Sequence, residues 1–224
     1  MSDPIRVLLV DDQALFRSGV AVTLGADPGL EVVGEAGNGR DAVRLVDETH
    51  PDVVLMDIRM PEVDGVEATR QIFAPDAAAR RGRPVRVIVL TTFNLDDRAA
   101  TAIRYGASGF LLKDTTPASL SAAIRTVHTG TAVIGPDDLS ALLTANLRES
   151  SAPPPEYQTL TEKEREIVGE IARGRSNAEI ASELFLSEST IKTHVGSILR
   201  KLGLRDRVQV VVFAYEHGLT PRDT

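Results

Sequence analysis

The sequence predicts a doubly wound α/β domain followed by a small all-α domain. Three observations support this prediction. Short apolar runs alternate with helical patterns up to about residue 135, a proline-rich stretch follows, and every pattern beyond it is helical. Strands that alternate with helices form a parallel sheet covered by helices on both faces.

The apolar runs are short and nearly continuous, which is typical of strands buried on both faces of a parallel sheet. In chain order they are VLLV (7–10), EVVGEA (31–36), VVLM (53–56), VRVIVLT (85–91) and GFLLK (109–113). Five such strands alternating with five helices favour the flavodoxin-like strand order 2-1-3-4-5.

The stretches between these runs carry apolar residues at helical spacing. Phe16, Val20, Thr23 and Leu24 line one face of the first helix, and Val43, Leu45 and Val46 mark the second. A third helix lies near 66–73, and Leu120, Ile124 and Val127 mark the last. Thr116 is placed to cap the last helix, with Pro117 at its first helical position.

A change of composition marks a domain boundary. The segment RESSAPPPEYQ (148–158) contains three consecutive prolines and no apolar period, which is typical of a stiff, exposed linker. We therefore expect a first domain over 1–135, a linker over 136–158 and a second domain over 159–224.

The second domain reads as four short helices. Thr161 with Glu164, and Ser176 with Glu179, each form a capping box at the start of a helix. A tight turn at 186–189 separates the second helix from the third. This arrangement is typical of a helix-turn-helix module.

The charge of the chain is unevenly distributed. The net charge is −7, yet residues 189–207 contain five basic residues and one acid. A local positive field of this kind attracts a polyanion. The chain has no cysteine and no tract resembling a signal peptide or a membrane span, so we expect a cytoplasmic protein that does not bind membranes.

Acidic and polar residues end the strand-like runs, where an open parallel sheet places its chemistry. Asp11 and Asp12 end the first run and Asp57 ends the third. The first and third strands are neighbours in the expected order, so these carboxylates share one crevice, and at least one would gain a proton unless a cation neutralised them. Mg²⁺ suits such oxygen ligands. Thr91 and Lys113, at the ends of the last two strands, are placed to bind a phosphoryl group.

The motifs VLLVDD, VLMDIRMPEVDG, VLTT and GASGFLLKD resemble the receiver domain of two-component response regulators, over about residues 5–130. The resemblance implies that Asp57 accepts a phosphoryl group from the phosphohistidine of a sensor histidine kinase. It further implies that Mg²⁺ is held by Asp11, Asp12, the Asp57 carboxylate and the main-chain carbonyl of Arg59. The remaining pocket residues would be the phosphate ligands Thr91 and Lys113 and the aromatic switch Phe110. Arg59 and Phe93 would flank the phosphate.

The third helix of the second domain presents a face without acids. Because Ile191, Val195, Ile198 and Leu202 face inward, the outward residues are Lys192, Thr193, Gly196, Ser197 and Arg200. Such a helix fits the major groove of double-stranded DNA.

Residues 160–217 resemble the LuxR-type DNA-binding domain through the spacing SNAEIA…LSESTIKTHV…ILRKLG. The whole chain therefore resembles a NarL/FixJ-family response regulator. The resemblance assigns base reading to Lys192 and Thr193, and phosphate contacts to Ser189, Thr190 and Arg200. Gly196 departs from relatives that carry a long cation there, so one base contact is expected to be missing.

The last helix carries surplus apolar residues at Val210, Phe213 and Ala214. Two explanations remain open: a dimer seam, which suits a module that reads paired half-sites, or the completion of a small core. We expect a homodimer when the protein is phosphorylated.

Two other functions compete with a phosphorylation-switched regulator. A regulator that binds DNA without phosphorylation would have a degraded acidic pocket, whereas this pocket is complete. A Mg²⁺-dependent phosphohydrolase with an Asp nucleophile would commonly carry a second acid two residues later, where this chain has Arg59. We therefore expect a phosphoacceptor regulator and not an enzyme, with at most slow self-dephosphorylation.

Overall fold

The computed structural model describes residues 3–92, 97–130 and 152–219. The chain divides into two compact units, residues 1–133 (unit 1) and 134–224 (unit 2).

Unit 1 contains a five-stranded parallel sheet with the order β2-β1-β3-β4-β5. The strands are β1 (Ile5–Val10), β2 (Leu30–Ala36), β3 (Val53–Asp57), β4 (Arg86–Thr91) and β5 (Gly109–Leu112). All five residues of β3 are buried, as expected for a central strand covered on both faces. The predicted fold class and strand order are confirmed.

Six helices of unit 1 lie within the described residues. They are α1 (Ala14–Gly25), α2 (Gly39–Thr49), α3 (Gly65–Ile72), α4 (Pro75–Arg81), α5 (Asp97–Tyr105) and α6 (Pro117–His128). Leu24 of α1 and Leu120, Ile124 and Val127 of α6 share one core cluster with β1 and β3. Thr116 caps α6 as predicted, by accepting a hydrogen bond from the Ser119 backbone.

The prediction of five helices is wrong by one, because α4 was not anticipated. Its sequence PDAAARR has no apolar period, and only Ala77 is buried. Local signals form this helix instead: Pro75 stands at its start, alanines follow, and Gly82 ends it with a φ of 63°.

Within its described residues, unit 2 contains a 3-10 helix (Pro155–Thr159) and four α-helices. The α-helices are α7 (Glu162–Ala172), α8 (Asn177–Glu183), α9 (Glu188–Leu202) and α10 (Arg207–Glu216). Both predicted capping boxes are present, at the starts of α7 and α8. Gly203 ends α9 with a φ of 66°.

The end of the predicted linker is folded. Residues 155–158 belong to the 3-10 helix, and the Tyr157 ring lies 6.1 Å from the Phe213 ring of α10. The prolines therefore lead into a structured turn. The predicted boundary at residue 135 lies outside the described residues and stays a prediction.

The surplus apolar residues of α10 are buried within the chain itself. Val210, Phe213 and Ala214 are at most 8% exposed. Of the two explanations for these residues, the completion of a small core is the one that the structure supports.

Among the described residues, no helix combines the length and the apolar character that crossing a membrane requires.

Candidate functional site

The pairing of the strands brings the predicted acidic residues together. Val10 of β1 pairs with Met56 of β3. Asp11 and Asp57 are the next residues of these two neighbouring strands, so they lie side by side. On the other side, the Lys113 backbone donates to the Thr91 carbonyl at 2.8 Å. The carboxyl ends of four strands thus deliver two acids, a hydroxyl and an ammonium to one edge of the sheet.

Lys113 bridges the two buried carboxylates. Its Nζ lies 2.7 Å from Asp11 Oδ2 and 2.9 Å from Asp57 Oδ2, and all three side chains are at most 8% exposed. The same ammonium lies 5.0 Å from the centre of the Phe16 ring. Lys113 is therefore held in place both by charge and by an aromatic face.

Burial and pairing have opposite effects on the charges of Asp57 and Lys113. Burial raises the pKa of Asp57 above its ordinary value, against the opposing effect of the hydrogen bond from Lys113. Burial also opposes the charge on Lys113, but its hydrogen bonds with Asp11 and Asp57 prevail and raise the pKa of the ammonium. Lys113 therefore stays charged at neutral pH, while the site holds negative charge on Asp57 less well than water does.

The donor set fits a hard divalent cation. Carboxylate oxygens of Asp11, Asp12 and Asp57 lie within 4.8 Å of one another, and Asp12 is exposed. The buried Asp11 Oδ2 lies 2.7 Å from the Lys113 ammonium, and a carboxylate oxygen has a second lone pair with which it can bind a cation. Three carboxylates against one ammonium leave an excess of negative charge that Mg²⁺ would balance.

A cleft of about 130 Å³ opens beside these residues. It is lined by Asp12, Gln13, Asp57, Ile58, Arg59, Thr91, Thr92 and Lys113. The backbone N–H of Arg59 points at Asp57 Oδ1, at 3.4 Å. Thr91 is buried at the base of the cleft, and Phe110 of β5 is partly buried beside Val89 of β4. Phe93 lies outside the described residues.

Two residues that support the pocket were not anticipated from the sequence. Arg17 donates to the Asp11 carbonyl at 2.6 Å and pairs with Glu35 at 2.9 Å, which fixes the loop after β1. Gly65 lies directly behind Asp57, since a Cβ there would stand 2.0 Å from the Asp57 carbonyl oxygen. The Asp64-Gly65 pair signalled only a turn, and the close approach is visible only in the fold.

In unit 2 the predicted DNA-binding residues lie along α9. Ser189, Lys192, Thr193, Gly196 and Arg200 are exposed, whereas Thr190 is partly buried. Ser187 caps the helix and its hydroxyl lies 2.8 Å from those of both Ser189 and Thr190. The predicted outward face is therefore largely present.

Ser197 differs from its expected orientation. The side chain was expected to face outward, but it is partly buried and its hydroxyl donates to Glu164 Oε1 at 2.7 Å. Position 197 lies at the edge of the outward face, and the carboxylate of α7 draws the hydroxyl inward.

Two cations of residues 189–207 are engaged by groups within unit 2. Lys201 pairs with Glu164 at 2.6 Å. Arg207 donates to Asn177 at 2.8 Å and to the Arg175 carbonyl, and burial lowers its pKa to about 10. Lys192 and Arg200 are the exposed cations of α9 itself.

Comparisons with known proteins agree with both halves of this arrangement. The model of the response regulator receiver domain matches residues 7–125, and that of the bacterial regulatory proteins of the luxR family matches residues 158–214. Among curated relatives, the transcriptional regulatory protein LiaR of Bacillus subtilis is 40% identical over 215 residues, covering 96% of this chain and 99% of LiaR. The response regulator VraR of Staphylococcus epidermidis is 37% identical over 216 residues, covering 96% and 98% of the two chains.

A solved structure shows the same similarity. The crystal structure of the response regulator ChrA, from a haem-sensing two-component system, is 31% identical with a TM-score of 0.51, covering 97% of this chain and 100% of ChrA. The resemblance inferred from the sequence is thereby confirmed. The chain belongs to the response regulators that join a receiver domain to a LuxR-type DNA-binding domain, a family of phosphorylation-controlled transcription regulators.

Proposed function

We propose that Asp57 is the phosphoacceptor of this regulator and that its phosphorylation controls the binding of unit 2 to double-stranded DNA. The observation that carries the proposal is the bridge that Lys113 makes between Asp11 and Asp57 beside an open cleft. A buried carboxylate that faces such a cleft, next to a fixed ammonium, is placed as a nucleophile.

The chemistry follows from the positions of the side chains. An Oδ atom of Asp57 attacks the phosphorus of a sensor kinase's phosphohistidine, so that a P–O bond forms while the P–N bond breaks. Lys113 is placed to bind the transferred oxygens, and the Thr91 hydroxyl to donate to one of them. Asp11, Asp12, the Asp57 carboxylate and the Arg59 carbonyl would hold Mg²⁺, which supplies positive charge against the developing phosphate charge.

Phosphorylation then has a route to the rest of unit 1. The Lys113 ammonium pairs with Asp11 before phosphorylation. The new phosphate therefore competes with Asp11 for this ammonium. Movement of Thr91 towards the phosphate would free space for Phe110 to turn inward, which alters the surface of α5, β5 and α6. A local charge change biasing a two-state element is the general form of such switches.

On the DNA side, Lys192 and Thr193 would read bases, and Ser189, Thr190 and Arg200 would contact phosphates. Gly196 leaves a gap in that face, and Ser197 would reach DNA only by giving up its bond to Glu164. A single recognition helix reads a short half-site, so we propose that the phosphorylated protein binds as a homodimer in the cytoplasm, where a sensor kinase and DNA are both accessible.

The competing functions are less well supported. Regulation without phosphorylation gives no reason for a bridged, buried Asp11–Lys113–Asp57 set. A phosphohydrolase would need an acid or base at the position of Arg59, which cannot serve in that role.

The test is DNA binding across a pool of genomic fragments at fixed salt. The wild-type protein is compared with and without Mg²⁺ and acetyl phosphate, beside Asp57→Ala. We expect the phosphodonor to raise affinity for particular fragments and Asp57→Ala to abolish the gain. Equally tight binding in all conditions would show that unit 1 does not control DNA binding.

A further inference from the structure

One buried carboxylate connects the first helix of unit 2 to the recognition helix α9. Glu164 of α7 is only 3% exposed. Its Oε1 accepts from the Ser197 hydroxyl at 2.7 Å, and its Oε2 accepts from Lys201 Nζ at 2.6 Å. Oε2 also accepts from the Thr161 backbone at 2.7 Å, which is the capping bond that the sequence predicts. Glu164 therefore contacts both the start of its own helix and two side chains of α9.

The two contacts on α9 fix its orientation. Ser197 and Lys201 are four residues apart and lie on one face of the helix, one turn from each other. Apolar packing around Ile167, Ile191 and Ile198 is non-directional and tolerates small rotations and shifts. Two hydrogen bonds to one carboxylate are directional, so they do not tolerate such rotations and shifts. Buried polar contacts are best attested as devices that fix register.

The same carboxylate removes a cation from the DNA-binding surface. Burial opposes the charge of Glu164, but hydrogen bonds from Lys201, Ser197 and Thr161 together lower its pKa to about 2. Glu164 is therefore ionised at neutral pH. The Lys201 ammonium, next to exposed Arg200, is held against this charge and its side chain is only 29% exposed.

We propose that Glu164 is a positioning residue that sets the specificity of DNA recognition. It holds α9 in the one orientation that presents Lys192 and Thr193, and it keeps the Lys201 ammonium away from phosphates. This inference rests on the proposed binding of DNA by unit 2, and it adds a residue that is not on the predicted DNA face. Specificity is the ratio of affinity for the selected DNA to affinity for other DNA. A misoriented α9 lowers the first affinity and a released Lys201 raises the second, so either change lowers specificity.

The experiment compares full-length variants on two fragments of equal length, one selected by the wild-type protein and one with the same bases scrambled. Glu164→Gln is the main variant. Glu166→Gln is the matched control, because Glu166 lies on the same helix, is exposed and pairs with Lys163 of α7 itself, at 2.6 Å. For Glu164→Gln we expect the ratio of selected to scrambled affinity to fall about tenfold. We also expect the salt slope on scrambled DNA to steepen by about 0.9 for each bound copy, since each copy releases one lysine. Glu166→Gln should match the wild type in both.

Lys201→Met distinguishes a role in orienting α9 from a general effect on stability. It also replaces Glu164→Gln as the test variant if Glu164→Gln does not fold. It removes one anchor of α9 without releasing a cation. The affinity ratio should therefore fall while the salt slope stays at the wild-type value, which a general loss of stability would not produce.

The outcomes distinguish the inference from the proposed function. If neither variant changes the ratio while Lys192→Ala weakens binding, DNA recognition stands and Glu164 only caps α7. If the wild-type protein itself selects no fragment, the proposed function fails and the inference fails with it.

Discussion

Phe185, in the turn between α8 and α9, occupies a backbone conformation that suits glycine better than an aromatic residue. Its φ is 55° and 95% of its surface is exposed, so packing among the described residues does not compensate the strain. We expect Phe185→Gly to raise the free energy of unfolding by about 1 kcal/mol relative to Phe185→Ala, because both variants remove the ring and only glycine relaxes the backbone. Urea unfolding monitored by circular dichroism measures the difference. Equal stability of the two variants would show that the turn relaxes without glycine.

Asp57, the proposed phosphoacceptor, lowers the stability of the folded state when it is ionised. Burial raises its pKa above the ordinary 3.8, although Lys113 lowers it. A carboxyl group with a raised pKa destabilises the fold when ionised, so its favourable contribution is complete below the unfolded pKa and is lost as pH rises through the folded pKa. We therefore expect Asp57→Asn, without Mg²⁺ at neutral pH, to melt a few degrees above the wild type.

The advantage of Asp57→Asn should shrink as pH falls towards the ordinary value of 3.8. Thermal melts over a pH series measure it, with Asp12→Asn as the control, because Asp12 is exposed. A lower melting temperature for Asp57→Asn at neutral pH would mean that the pairing with Lys113 outweighs the burial of the charge.

At the scale of single elements, the start of α8 depends on its cap. The Ser176 hydroxyl accepts from the Glu179 backbone at 3.2 Å, and Glu179 reaches back to the Ser176 backbone at 2.7 Å. We expect Ser176→Ala to cost about 1 kcal/mol of stability. Ser182→Ala is the control, since Ser182 is exposed within α8 and should change stability little. Chemical unfolding measures the free energy of unfolding of both variants. Equal free energies would mean that the capping box adds no measurable stability.

The elements also show what the sequence can and cannot predict. Strands such as β3 and helices such as α6 were predictable because burial imposes a period on their apolar residues, and caps such as Thr116 mark their ends. α4 escaped prediction because it buries almost nothing. The contact of Glu164 with Ser197 and Lys201 escaped it as well, because it depends on how α7 packs against α9.

The acidic pocket follows the same division. Asp11, Asp57, Thr91 and Lys113 were predictable because strand order brings strand ends together. The close approach of Gly65 to the Asp57 carbonyl oxygen depends on the path of the loop, which no local pattern encodes.

For the whole molecule, cation binding at the acidic cluster should stabilise the protein. A ligand that binds only the folded state adds about 1.4 kcal/mol at ten times its dissociation constant. We expect Mg²⁺ to raise the melting temperature of the wild type by a few degrees and to have little effect on Asp12→Ala, which removes the exposed ligand. Differential scanning calorimetry across a Mg²⁺ series measures the shift. A similar shift in both proteins would place the cation elsewhere.

The number of copies bound to DNA can be read from salt dependence. Each phosphate contact contributes about −0.9 to the slope of log affinity against log salt concentration. Arg200 is an exposed cation of α9, so Arg200→Ala should reduce the magnitude of the slope by about 0.9 if one copy binds, and by about 1.8 if two copies bind paired half-sites. We expect the larger change for the protein treated with acetyl phosphate and the selected fragment. Fluorescence anisotropy over a salt series measures both slopes. A change near 0.9 would show that the phosphorylated regulator binds this DNA as a single copy, and no change would remove Arg200 from the phosphate contacts.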